Sequence, residues 1–187
     1  MESAQEAADI SPVRAHGAAE SRVAAVLGSD SARIQVLFAE LARRWQRMGL
    51  RVAGVVEETR TPTGNTCGDL VLRDLVNDAI YPISQRLGRG SRSCNLDSDG
   101  LAQACAALES SVRSGCDLVV ISKFGKQEAA GDGLVDAFAA AIAADIPVLT
   151  AVAEPWRAQW LAFSAPLSEF VPAEARAIEA WRKRHGI

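Results

Sequence analysis

The segment from Arg22 to Val56 constrains the fold more than any other. Arg22-Val-Ala-Ala-Val-Leu27 has the length and Val content of a short strand. Gly28-Ser-Asp-Ser-Ala32 is a turn. From Arg33 to Met48 the apolar positions Ile34, Leu37, Phe38, Leu41 and Trp45 repeat with helical spacing. Asp30 or Ser31 can cap this helix, and Gly49 ends it. Arg33, Gln35, Glu40, Arg43 and Arg44 read as its solvated face. Arg51-Val-Ala-Gly-Val-Val56 is a second strand. Strand, turn, helix and strand in this order predict a βαβ unit, a parallel pair with a right-handed crossover.

The rest of the chain continues the alternation. Glu57 to Cys67 is a polar loop, and Asp69–Leu75 with Ile80–Ile83 fits either a hairpin or a short edge extension of the sheet. Leu87 to Asp97 is a loop rich in Gly, Ser and Arg. Leu101 to Val112 is a helix with Asp97, Ser98 or Asp99 at its start. Asp117 to Ile121 is a buried strand, a helix follows Gly131-Asp-Gly133 as far as about Ala144, and Ile146 to Val152 is another strand. The remainder reads as helical, Pro155–Phe163 and then Pro172–His185. The predicted class is α/β, a three-layer fold with a mainly parallel sheet flanked by helices. Residues 21–187 are expected to form one domain and residues 1–20 a disordered tail without the apolar core of a signal peptide or anchor.

Composition narrows the function. Of 187 residues, 49% are hydrophobic and 23% charged, which suits a packed core. A net charge of −3 argues against bulk electrostatic binding to nucleic acid. No apolar run approaches the roughly 20 residues that span a bilayer, so the expected location is cytoplasmic. The four cysteines, Cys67, Cys94, Cys105 and Cys116, form no C-x-x-C pair. Cys105 reads as core, whereas Cys67 and Cys94 lie in polar surroundings and are the candidate soft ligands for a metal.

Three segments are candidate sites. The first is the turn Gly28-Ser29-Asp30-Ser31-Ala32, which stands where a phosphate loop would stand. It lacks the second Gly and the Lys of G-x-x-x-x-G-K-[ST], and Asp30 repels phosphate. Amides at a helix N-terminus still attract an anion. The second is Gln85-Arg-Leu-Gly-Arg-Gly-Ser-Arg-Ser-Cys-Asn-Leu-Asp97. Its Arg86, Arg89 and Arg92 offer bidentate donors, and Gly88, Gly90 and Ser91 let backbone amides turn inward around phosphate, sulfate or molybdate. The alternative for this segment is a solvated surface loop. The third is Ser122-Lys-Phe-Gly-Lys-Gln-Glu128, at the carboxyl end of the buried strand, where ligands sit in open α/β sheets. Ser122 and Lys123 occupy places where a nucleotide hydrolase puts carboxylates for Mg²⁺ or water. Lys123 and Lys126 read as anion-attracting, or as an ion-pair cluster with Glu128.

Taken with Gly49-Leu-Arg-Val-Ala-Gly54, Leu70-Val-Leu-Arg-Asp-Leu75, Ile83-Ser-Gln-Arg-Leu-Gly88, Cys94-Asn-Leu-Asp97, Phe124-Gly-Lys-Gln-Glu-Ala-Ala-Gly131 and Pro147-Val-Leu-Thr-Ala-Val152, the order of features resembles an uncharacterised bacterial family. Its members have no settled activity and are often encoded beside molybdenum-uptake genes. That family in turn resembles small P-loop nucleoside-triphosphatases, with a P-loop, a G-L-x-V-x-G second strand, a hairpin, and a strand ending in Asp-Glu-x-Gly-x-x-Glu. Here Gly125 and Glu128 keep the last motif, while Ser122 and Lys123 replace its two acids. The resemblance implies a P-loop-like fold with a degenerate phosphate loop and a β-hairpin insertion. Both Mg²⁺-nucleotide devices are lost together.

The expected function is therefore a non-catalytic binding or regulatory protein in molybdenum homeostasis, holding molybdate or a similar oxyanion, or a nucleotide. The alternatives are a divergent nucleoside-triphosphatase or phosphotransferase with Glu128 as base and Lys126 as phosphate partner, and an oligomeric interaction protein using the aromatic residues between Pro155 and Ile187.

Overall fold

A computed structural model describes residues 22–60, 69–85 and 95–187. The expected tail at 1–20 lies outside them, as do Cys67, Cys94 and the segment from Arg86 to Cys94.

The chain folds as β1 (Val23–Leu27), α1 (Ser31–Arg47), β2 (Val52–Arg60), β3 (Asp69–Asp74), β4 (Ile80–Pro82), β5 (Ser84–Gln85), β6 (Asn95–Leu96), α2 (Ser98–Arg113), β7 (Leu118–Phe124), α3 (Lys126–Ala129), α4 (Val135–Ala143), β8 (Val148–Val152), α5 (Arg157–Ser164), β9 (Ser168–Val171) and α6 (Ala175–Arg184). The main sheet has the order β4-β3-β2-β7-β8-β1-β9, and β5 pairs with β6 in a small ribbon. From β2 across to β9 the strands run parallel, while β3 and β4 add antiparallel edges. β1 and β2 are thus parallel, as the βαβ pattern requires, but β7 and β8 are inserted between them.

Three assignments need correction. β2 runs on to Arg60, so Glu57 to Arg60 belong to a strand and pair with β3 rather than forming a loop. β7 continues through Ser122, Lys123 and Phe124, after an irregularity in its pairing with β8. The C-terminal region contains β9, which pairs with β1. Its Ser-Glu-Phe-Val sequence is short and half polar, as befits an edge strand, and carries no clear period.

Two apolar layers flank the sheet. Ile34, Phe38, Leu41 and Trp45 of α1 pack with Ile178 and Trp181 of α6 on one face. Leu101, Leu108, Phe138 and Trp160, from α2, α4 and α5, pack on the other. Val119 and Ile121 face the second layer and Leu118 and Val120 the first, so all four are fully buried, as expected of a central parallel strand. Trp160 meets Phe124 edge-on at 5.2 Å between ring centroids, and Arg157 lies over the Phe170 ring at 5.2 Å. The C-terminal aromatic residues thus cover the core to a large extent. Cys105 is buried, as its helical setting suggested. Among the described residues no helix is long and apolar enough to cross a membrane.

The starts of β2 and β7 are tied by Asp117. Its carboxylate accepts the Arg51 amide at 2.8 Å and the Arg51 guanidinium at 2.6 Å, bonds that hold the carboxyl below its ordinary range. Between these strands Gly54 has φ +145°, and a Cβ there would lie 2.1 Å from the Val120 carbonyl oxygen. The Gly54→Ala substitution is expected to destabilise the fold by about 2–4 kcal/mol in urea unfolding. A change below about 0.5 kcal/mol would show that the strands can separate freely at this point.

On the other face Glu179 accepts from Trp45 Nε1 at 2.9 Å and from Arg182 Nε at 3.1 Å. Burial pushes this carboxyl up, but the bonds from Trp45 and Arg182 outweigh it and leave it below its ordinary value. A lowered carboxyl contributes stability above its unfolded value, about 4.3, and loses it as pH falls through the folded one. Glu179→Gln should therefore be less stable than the native chain at pH 7, with the difference shrinking on acidification below about pH 4.3. A difference independent of pH in urea melts would contradict this.

Candidate functional site

The carboxyl ends of β1 and β8 lead to opposite faces: β1 to α1, which packs with α6, and β8 to α5, which packs with α2 and α4. Neighbouring parallel strands that diverge in this way leave a crevice at their ends. Beside it, over the carboxyl ends of β2 and β7, lies a cleft of ≈ 620 Å³ bounded by Ser31, Glu57, Ser122, Lys123, Lys126 and Glu128 and by an apolar wall that includes Leu72, Leu101 and Trp156.

The first turn is a compact cap. The Gly28 amide donates to the Val152 carbonyl at 3.3 Å, which prolongs the ladder and removes that amide from any anion site. A Cβ on Gly28 would lie 2.8 Å from Ile34 Cδ1. Asp30 is the cap residue, accepting from the Arg33 amide at 3.1 Å. Gly28, Ser29 and Arg33 line a different cavity, between α1 and Glu174, so of the turn residues singled out only Ser31 reaches the cleft. Its Oγ is buried and has no hydrogen-bond partner among the described residues.

The end of β7 and the turn after it differ from expectation at Lys123 and Glu128. Ser122 is buried, and its carbonyl accepts from Gln35 Nε2 at 2.6 Å. Gln35 Oε1 in turn accepts from the Glu57 amide at 2.9 Å. Gln35 is therefore a buried cross-link between α1, β2 and β7 and is not part of the solvated face. Lys123 forms an ion pair with Glu57 at 2.5 Å, so its charge is already met. Glu128 pairs with neither lysine. It turns back on its own backbone, accepting from the Gly125 amide at 2.9 Å and the Leu134 amide at 3.1 Å. Gly133, at φ +70°, leaves room for this carboxylate, since a Cβ there would sit 2.3 Å from Glu128 Oε1. Lys126 is exposed and has no ion-pair partner among the described residues. Together Lys123, Lys126, Glu57 and Glu128 leave the cleft electrically balanced.

Arg86, Gly88, Arg89, Gly90, Ser91 and Arg92 lie outside the described residues, although Ile83 and Leu96 on either side of them line the cleft. Among the described residues no cluster of His, Cys, Asp or Glu could hold a metal ion. Burial pushes the Cys105 and Cys116 thiols up, which suits inert packing. Three contributors were missed from sequence: Glu57, Gln35 and Trp156. Glu57 follows an apolar strand run just as Ser122 does, and that signal was available.

Replacing Gln35 with Leu would leave the buried Ser122 carbonyl and Glu57 amide unpaired. The expected loss is about 2–6 kcal/mol in urea unfolding, from two unsatisfied groups at roughly 1–3 kcal/mol each. A loss under about 1 kcal/mol would mean that the two strands re-pair without it.

Residues 23–181 match a family described as a protein of unknown function, DUF2478, and the chain belongs to that family. It is 40% identical over 161 residues to the molybdenum import ATP-binding protein ModC 2 of Bradyrhizobium diazoefficiens, over 86% of this chain and 18% of that protein. The chain thus spans less than a fifth of the length of that relative. Among solved structures it resembles THEP1 from the hyperthermophile Aquifex aeolicus, with a TM-score of 0.57 at 10% identity, over 87% of this chain and 96% of that one. The fold is the mainly parallel, P-loop-NTPase-like α/β sheet that the motifs implied.

Proposed function

We propose that this member of the DUF2478 family is a non-catalytic binding protein that holds an anion, a molybdate-like oxyanion or a nucleotide, at the carboxyl edge of its sheet and serves molybdenum homeostasis. One observation carries the reading: both carboxylates of the cleft are committed elsewhere. Glu57 is paired with Lys123, and Glu128 accepts two backbone amides. Neither stands unpartnered in the cleft, which disfavours a role in holding Mg²⁺ or in taking a proton from water. What remains at the cleft is suited to holding a negative charge: the Ser31 hydroxyl at the start of α1 and the Lys126 ammonium. The link to molybdenum rests on the similarity to a molybdenum import ATP-binding protein. The turn residues Gly28 and Ser29 lie apart from the cleft and are no longer needed in this reading.

Calorimetry with molybdate, tungstate, sulfate, ATP and GTP tests it. At least one should give saturable heat, and Lys126→Ala should weaken that ligand by about three- to tenfold, the worth of one partly exposed charge-assisted contact. No heat with any of them at millimolar concentration would remove the proposal. Phosphate release from ATP or GTP with Mg²⁺, abolished by Glu128→Gln in a variant that still folds, would favour the hydrolase instead.

A further inference from the structure

The cleft is built for more than an inorganic ion. Its ≈ 620 Å³ falls within the range of about 300–1,000 Å³ typical of pockets for organic ligands. A tetrahedral oxyanion has five heavy atoms and takes up only ~60–90 Å³, two to three times a water molecule's share of the liquid. The lining is divided to match. Leu70 and Leu72 of β3, Leu101 of α2, Leu134 and Trp156 present an apolar wall, and Ser31, Lys123 with Glu57, and Lys126 supply the polar groups. Ser31 Oγ is buried at this cleft without a partner, and an orphaned buried hydroxyl is unfavourable unless something fills the space beside it. Mainly apolar walls with a few polar groups that fix orientation are the usual design of a small-molecule site.

Resting on the reading of the cleft as an anion site, we propose that its ligand is an organic anion: a flat, apolar or heteroaromatic body carrying one phosphate-like head. The body lies along the Leu72, Leu101 and Trp156 wall. The head takes the Ser31 hydroxyl and the Lys126 ammonium. The Glu57–Lys123 pair stays intact and turns away ions of higher charge, because no further cation of the described lining is open to them.

The test is calorimetry on the full chain with 1-naphthyl phosphate, inorganic phosphate and 1-naphthol. The phosphate ester should bind at least ~tenfold tighter than either of the others, since only it uses both halves of the cleft. Ala153→Phe, which fills the cleft beside Trp156, and Trp156→Ala, which strips the wall, should each weaken the ester by about tenfold and leave inorganic phosphate within about twofold. Thermal melts establish that both variants fold. Equal affinity for inorganic phosphate and the ester overturns this inference and leaves the anion site standing. Equal affinity for 1-naphthol and the ester overturns it as well, by showing adhesion to apolar surface alone. Heat with molybdate, tungstate or sulfate but none with the ester sinks only the organic body, heat with ATP but none with the ester sinks the single phosphate-like head, and no heat with any anion sinks both readings.

Discussion

The structure depends on the way β2 and β7 part company. Their ladder ends at Val55 and Ile121, and beyond it the Glu57 amide and the Ser122 carbonyl would be buried and unpaired. Gln35, reaching in from α1, takes both through the two ends of one side-chain amide. An amide side chain suits this role because it donates and accepts within the same group. At the opposite end of the same strand pair, Asp117 binds the Arg51 amide and guanidinium. The pair is therefore fastened at its start and held apart at its finish. The cleft lies where the strands diverge, with β2 turning toward β3 and β7 toward β8.

Charge in the cleft follows from that divergence. Two residues beyond the end of the ladder, Glu57 and Lys123 meet across the gap as an ion pair. Glu128, the acid retained from the hydrolase-like motif, shapes the loop through two amide bonds. Ser122 and Lys123 stand at the other two positions of that segment. Lys123, read as the attractor of anions, is instead half of a neutral couple, while Lys126 is exposed without an ion-pair partner among the described residues.

Much of this fold was legible because apolar periodicity is a strong signal. The helix of Ile34, Phe38 and Trp45 and the run from Leu118 to Ile121 sit where the pattern placed them. The boundaries failed where polar residues continue a strand. Glu57 to Arg60 and Ser122 to Lys123 are polar yet paired, because the neighbouring strand supplies hydrogen bonds whatever the side chains are. β9 escaped notice because four residues at a sheet edge carry no period. Gln35 was misread because a polar residue on a helix is ordinarily solvated, and only the tertiary gap between two distant strands gives it buried partners. The location of the candidate site at the strand ends was legible; the pairing of its charges was not, since Lys123 and Glu57 are far apart in sequence.

The placing of the tryptophans gives the protein a built-in optical reporter. Trp45, Trp160 and Trp181 are fully buried in the two apolar layers, whereas Trp156 stands half-exposed on the wall of the cleft. Indoles shielded from water emit at shorter wavelength than those that meet it. The red edge of the emission spectrum therefore belongs largely to Trp156. Whatever enters the cleft displaces water from that one ring while the other three keep their surroundings, so the chain signals its own occupancy without any added label.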